Sequence, residues 1–119
     1  NYYYGKVYAY EVDGYGQYML MDDANVPSLL AMDYLGYEAD DRQVVENTRN
    51  FVLSCANPYY YEGSCAKGVG SQHTKPGYIW HIALAIQGLT SKTKEEKLAI
   101  LNTKKYRCGQ AHDARGPYA

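Results

Sequence analysis

Between residues 6 and 21 the run KVYAYEVDGYGQYMLM places Asp13-Gly14 between two stretches rich in Val, Tyr and Met. This is the local chemistry of a tight β-hairpin, expected to be the only strand pair. Pro27 follows Asn25 and Val26, and Val26, Leu29, Leu30 and Tyr37 recur at helical spacing. A short helix capped by Asn25 and entered through Pro27 is predicted, with Gly36 as its stop. From Asp40 the run DDRQVVENTRNFVLSC starts with acidic residues and puts Val44, Thr48, Phe51, Val52 and Cys55 on one face. It predicts a helix of about four turns ended by Asn57-Pro58. Residues 57–77 carry Pro58, Gly63, Gly68, Gly70, Pro76 and Gly77 among polar positions, so no helix should survive there. A loop of that length in a compact domain is usually functional. Beyond it Ile79, Ile82, Ala83 and Ile86 step at three and four, predicting a helix closed by Gly88. Thr93 with Glu96 reads as a capping box opening a last helix through Leu98 and Leu101. The expected chain is mainly α, with one hairpin near the N-terminus and one long loop.

Composition narrows the class. At 119 residues there is room for one core, which excludes separate cofactor and substrate lobes. Apolar residues make up 46% and charged residues 21%, close to a globular average, and no apolar run approaches the ~18 residues a membrane helix needs. Neither disorder nor a membrane partner is expected. With a net charge of -1 there is no field to gather phosphates, so nucleic acid is not an expected partner. Fifteen Tyr against one Phe and one Trp favour rings that pack on one side and hydrogen-bond on the other, a surface suited to polar ligands, sugars included. Cys55, Cys65 and Cys108 are odd in number and fit no C-x-x-C spacing, so reduced structural thiols are expected. The chain opens at Asn1 with no Met, which suggests a piece of something longer. No signal-peptide pattern and no Asn-x-Ser/Thr sequon occur, which points to a cytoplasmic product. No repeat or low-complexity tract marks a linker.

Two segments carry candidate chemistry. In MDDANVPSLL, residues 21–30, Asp22, Asp23 and Asn25 precede the expected helix start. Capping needs one such residue and three are present, so a ligand-facing role for at least one stands beside the capping reading. No Asp-x-Asp-x-Asp-Gly loop follows and no His lies near, so no metal is expected. The second segment, GVGSQHT at 68–74, delivers His73 on a glycine-rich loop. Neither Gly-x-Gly-x-x-Gly nor Gly-Lys-Ser/Thr is present, so it is not a phosphate loop. His73 either ties the loop to its own backbone or faces a ligand. Ser71, His73 and Asp23 form a triad only on paper, because no nucleophile-elbow pattern accompanies them. Trp80 at the loop's end stacks on a sugar or fills the core. Asn57-Pro58 with Tyr59, Tyr60 and Tyr61 lines a cleft or packs one helix end on another.

The runs MDDANVPSLL, YLGY (34–37), NTRNFVLS (47–54), NPYYYEG (57–63), KGVGSQHT (67–74) and YIWHIALAIQGLTS (78–91) together resemble glycoside hydrolase family 125. The similarity is unbroken from about Val7 to Glu96, and departs from the family's pattern at Asp33 and Gln72, where Pro is usual. The resemblance implies an exo-acting α-1,6-mannosidase that inverts without metal or cofactor on an (α/α)6 barrel. Residues 1–103 would form part of that barrel, acting on a mannose-containing oligosaccharide. Asp22, Asp23, Asn25 and His73 would lie at the barrel mouth and hydrogen-bond the terminal mannose hydroxyls. Inversion requires an acid and a base with carboxyls roughly 6.5–9.5 Å apart. By the resemblance, the acid is an Asp upstream of this chain and the base a Glu in a Gly-x-Met-His-Glu run. The chain by itself is therefore expected to be inactive. The alternative is a non-catalytic helical module whose Tyr-rich surface binds carbohydrate or protein.

Residues 104–119 diverge from the family. His112-Asp113 imitates the His-Glu pair, making Asp113 a weak candidate base. Synonymous codons exist for 106–116 that, read one base later, spell Thr-Gly-Ala-Gly-Lys-His-Met-Met-His-Glu. A frameshift near Lys104 or Lys105 is therefore expected to have replaced the base segment. Sequencing the encoding DNA checks this: a second frame encoding Met-His-Glu is the expected result, and its absence returns Asp113 as candidate base.

Overall fold

The computed structural model describes residues 3–64 and 66–105, with the side chains of 104 and 105 left aside. Three helices and two small sheets follow in the order β1 (Glu11–Val12), β2 (Tyr18–Met19), α1 (Arg42–Val52), β3 (Tyr60–Glu62), β4 (Lys67–Val69), α2 (His81–Thr90) and α3 (Lys94–Lys105). Three helices do not make an (α/α)6 barrel.

The first hairpin lies where the Val/Tyr pattern puts it, with Glu11 opposite Met19 and Val12 opposite Tyr18. Its turn is wider than Asp13-Gly14 alone implies. The Asp13 carboxylate accepts the Tyr15 and Gln17 N–H groups at 2.8 and 3.1 Å, and Gly14 and Gly16 take positive φ.

A second hairpin corrects the expectation of a single strand pair. β3 and β4 pair antiparallel, Tyr60 opposite Val69 and Tyr61 opposite Gly68, inside the stretch expected to be loop. Glycine read as loop chemistry here serves close packing. A Cβ on Gly68 would lie 2.8 Å from Ile79 and 2.9 Å from Leu84, and one on Gly70 would lie 2.2 Å from the Tyr78 carbonyl oxygen and 2.7 Å from the Tyr61 ring.

The helix expected after Asn25 is also corrected. Residues 30–36 form successive turns, and the N–H groups of Leu29 and Leu30 go to the Asp22 carboxylate instead of to an Asn25 cap. Gly36, expected to stop that helix, instead ends the run of turns at φ +79°.

Helix α1 begins as its acids indicate, with Asp41 accepting the Gln43 N–H at 2.9 Å. It buries Val45, Thr48, Phe51 and Val52. It stops at Val52, earlier than expected, and Cys55 lies exposed beyond it as a free thiol. Cys65 and Cys108 lie outside the described residues. In α2 the buried residues are Ala83, Leu84, Ile86 and Thr90, while Ile82 faces outward. Gly88 is internal to α2 and lets Ile100 of α3 approach. Thr93 accepts the Glu96 N–H at 3.3 Å, but the Glu96 carboxylate turns away from the box to Arg49 at 2.6 Å. Arg49 also donates to the Gln87 carbonyl at 3.1 Å and to Thr90 Oγ1, so one guanidinium joins all three helices.

The main core joins Phe51 and Val52 of α1 to Ala83 and Ile86 of α2, Val69 of β4, and Ala24, Leu30 and Ala31 of the turn segment. Ala66, Ile79, Leu84 and Ile100 form a second cluster. Leu89, Leu98 and Leu101 remain exposed on the outer faces of α2 and α3.

The Gly70 approach can be tested by Gly70→Ala, whose Cβ would strike backbone. A loss of about 1–3 kcal/mol is expected, read from the urea midpoint. An unchanged midpoint would show that the end of β4 moves freely away from Tyr78.

Candidate functional site

The loop after β4 runs back across residues 22–25, and the backbone bond from Ala24 N–H to the Gly70 carbonyl at 2.9 Å sets the two side by side. Their side chains then interlock around two carboxylates that are 0% and 1% exposed, Asp22 and Asp23.

Asp23 is surrounded by donors. Its Oδ1 accepts the backbone N–H and the side-chain Nδ2 of Asn25, both at 2.9 Å. Its Oδ2 accepts the Ser71 hydroxyl at 3.0 Å and the Gln72 N–H at 3.3 Å. A carboxylate has about four lone-pair sites, so Asp23 is filled. Gln72 uses here an N–H that a Pro at this position would lack. Ser71 is likewise filled: its hydroxyl donates to Asp23 and accepts from Asn25 Nδ2 at 3.3 Å and from the His73 N–H at 3.1 Å.

Asp22 works on the opposite side. Its two oxygens accept the N–H groups of Leu29 and Leu30, each at 2.9 Å. Its own N–H donates to Asn57 Oδ1 at 3.1 Å, and Asn57 Nδ2 donates to the Val52 carbonyl at 3.0 Å, tying the pair to the end of α1. Burial raises the Asp22 carboxyl from its ordinary 3.8 to about 6, although the N–H groups of Leu29, Leu30 and Asp23 oppose the shift. Burial also raises Tyr10, helped by the charges of Asp23 and Asp22.

The four residues singled out in the sequence thus separate into two layers. Asp22 and Asp23 lie buried, while Asn25 is half-buried and His73 exposed. Only backbone and hydroxyl contacts hold His73 within the cluster, and the Ser/His/Asp triad does not assemble, since the Ser71 hydroxyl donates to Asp23 itself. Trp80 packs against the main core and its indole N–H donates to Thr74 Oγ1 at 3.0 Å, fixing the far end of the loop. The sequence reading missed Ser71 as the hub and Asn57 as the anchor. Both are small polar residues in loops, and only their burial distinguishes them. Asp113 lies outside the described residues.

A recess of about 190 Å³ is lined by Tyr10, Pro27, Ser28 and Leu29, and Leu29 donates its N–H to Asp22. A larger groove, about 480 Å³, is lined instead by Lys6, Val7, Tyr8, Ala9, Val12, Tyr18, Leu20 and Val44, and shares no residue with the carboxylate cluster. Chemistry and size therefore point to different places, and the convergent polar groups identify the candidate site. Among the described residues no three His, Cys, Asp or Glu side chains converge as metal ligands, and no helix is long and apolar enough to cross a membrane.

Residues 1–113 match the metal-independent α-mannosidases of glycoside hydrolase family 125, and the chain belongs to that family. The matched span is longer than the one legible from the quoted runs. The meiotically up-regulated gene 157 protein of Schizosaccharomyces pombe is 47% identical over 104 residues, which are 87% of this chain and 20% of that protein. A metal-independent α-mannosidase of Streptococcus pneumoniae, solved in a non-productive complex with α-1,6-mannobiose, matches with a TM-score of 0.83 at 47% identity. That match covers 93% of this chain and 28% of the solved one. The chain therefore spans about a fifth and just over a quarter of these two relatives.

The buried Asp22 makes folding pH-dependent in a definite direction. Its folded pKa of about 6 lies above the ordinary 3.8, so its contribution to stability is fully present below about pH 4 and lost as pH rises through 6. Asp22→Asn leaves one of the two backbone N–H groups without an acceptor, at a cost of about 1–3 kcal/mol. Acidification from pH 7 to 4 is expected to widen the gap in favour of the parent by a further amount on the order of 3 kcal/mol. Paired urea melts across that range check the sign, and a gap that narrows toward pH 4 would refute it.

Proposed function

We propose that the chain forms one wall of the sugar-binding cleft of an exo-acting, inverting α-1,6-mannosidase. In this reading Asn25 and His73 meet the hydroxyls of the terminal mannose, and Asp22 and Asp23 hold the wall from behind. The observation that carries it is the interlock between residues 22–25 and 71–74. It brings together sequence-distant polar groups, two of them accessible. The substrate class rests on family membership and on the α-1,6-mannobiose bound by the Streptococcus pneumoniae relative.

The geometry also supports a division of labour. A general acid must reach the glycosidic oxygen and a general base must reach water on the opposite face of the ring. Asp22 and Asp23 are 0% and 1% exposed and both bond to internal donors, so neither is suited to either task. The 119-residue polypeptide by itself binds but does not hydrolyse.

The test uses the 119-residue chain with α-1,6-mannobiose. No mannose release is expected, because Asp22 and Asp23 are too buried to supply the acid and base contributions, each typically 10²–10⁴-fold. Binding followed by calorimetry or NMR titration should weaken about 2- to 10-fold in Asn25→Ala and again in His73→Ala, as expected for one neutral hydrogen bond each. Mannose release abolished by Asp22→Asn or Asp23→Asn would overturn the division of labour. Binding untouched by the double variant would move the sugar elsewhere.

A further inference from the structure

We propose that Ser71 and Asp23 are positioning residues that lock the Asn25 amide with its nitrogen inward and its carbonyl oxygen outward. This point of the cleft then selects a ligand hydroxyl that acts as donor. The proposal deepens the mannoside reading and rests on it.

An asparagine amide can offer either two N–H donors or a carbonyl acceptor to a ligand, and its shape does not decide which. Here the surroundings decide. The group 2.9 Å from Asn25 Nδ2 is Asp23 Oδ1, and a carboxylate only accepts. The group at 3.3 Å is Ser71 Oγ, whose one proton is already donated to Asp23 Oδ2, so toward Asn25 it also only accepts. Both contacts demand N–H, and a flipped amide would set its oxygen against two acceptors. The Asn25 backbone N–H, bonded to the same Asp23 oxygen, fixes the residue at its root. With both Nδ2 protons engaged, the Oδ1 acceptor is what this half-buried side chain has left to offer.

The lock extends beyond Asn25. Ser71 also accepts the His73 N–H, and Asp23 also accepts the Gln72 N–H, so the loop that carries His73 is held by the same two residues. Asp23 and Ser71 thereby set the spacing between the two accessible groups without touching the ligand.

The experiment has two arms on the 119-residue chain. In the first, the side-chain NH₂ of Asn25 is followed by ¹⁵N NMR. Both protons are expected to exchange with water at least 10-fold more slowly than those of the exposed Asn50, and Ser71→Ala should release one of them while Ser71→Thr keeps both. In the second arm, binding is measured for α-1,6-mannobiose analogues with single hydroxyls of the terminal ring replaced by fluorine, which accepts but cannot donate. One analogue should bind the parent at least 10-fold more weakly than mannobiose. In Asp23→Asn, whose amide can donate toward Asn25 and turn its oxygen inward, that discrimination should shrink or reverse. Should Asp23→Asn fail to fold, Ser71→Ala serves as the second variant, with discrimination expected to shrink there too. Freely exchanging Asn25 protons overturn the lock and leave the mannoside reading standing. Protected protons with no binding of any mannoside overturn that reading, and the ligand-facing part of this proposal with it. Discrimination unchanged in folded variants overturns the positioning role.

Discussion

Two adjacent carboxylates are buried here without a cation. Among the described residues no ion pair reaches Asp22 or Asp23, and an unpaired buried charge costs far more than a domain of this size can bear unless hydrogen bonds replace its water. Every donor that does so is a backbone N–H, a hydroxyl or an amide, and these come from three separate places. Residues 28–30 curl under Asp22, Asn25 folds back on Asp23, and the loop after β4 is drawn over Asp23, while Asn57 accepts the Asp22 backbone N–H and ties it to the end of α1. The need to satisfy two charges fixes where the chain cannot be regular.

That requirement explains why the sequence was legible in some places and not in others. The faces of α1 and α2 followed apolar spacing only in part: Phe51, Val52, Ala83 and Ile86 meet in one core, whereas Cys55 lies beyond α1 and Ile82 faces outward. The first hairpin followed its β-favouring run and the glycines of its turn. The segment after Asn25 misled because Asp and Asn before an apolar run look the same whether they cap a helix or anchor turns. Only the distant partners Ser71 and Gln72 distinguish the two cases, and they are 46 to 49 residues away. The second hairpin misled for the opposite reason. Gly68 and Gly70 were counted as breakers, but glycine there admits Ile79, Leu84 and Tyr78 at distances no side chain would allow.

The candidate site shows the same division. Asp22, Asp23, Asn25 and His73 were singled out by residue type and position; Asp23 and Asn25 share one hydrogen-bonded cluster that His73 joins through its backbone, while Asp22 bonds on the opposite side to Leu29 and Leu30. Which lie inside and which face outward was not readable from the sequence. Burial is a property of the whole fold, and a carboxylate's role changes with it: exposed, it can meet a hydroxyl directly, whereas buried and saturated it orients the group that does. Ser71 is the clearest case, an ordinary loop serine by type and the hub of the cluster by its 1% exposure and three contacts.

Recognition of a sugar depends on matching donors and acceptors at fixed points, because a wrongly presented group leaves a buried partner unbonded. A free carboxylate would accept from hydroxyls in many orientations and would attract cations as well. In the proposed arrangement, placing the charge behind the wall and presenting the neutral Asn25 carbonyl in front would keep the directional strength of a charge-backed network while removing its promiscuity. The same burial that raises the Asp22 carboxyl to about 6 also withdraws it from proton transfer with a ligand. In this part of the fold, then, the two carboxylates supply rigidity, each already bonded to the chain's own donors.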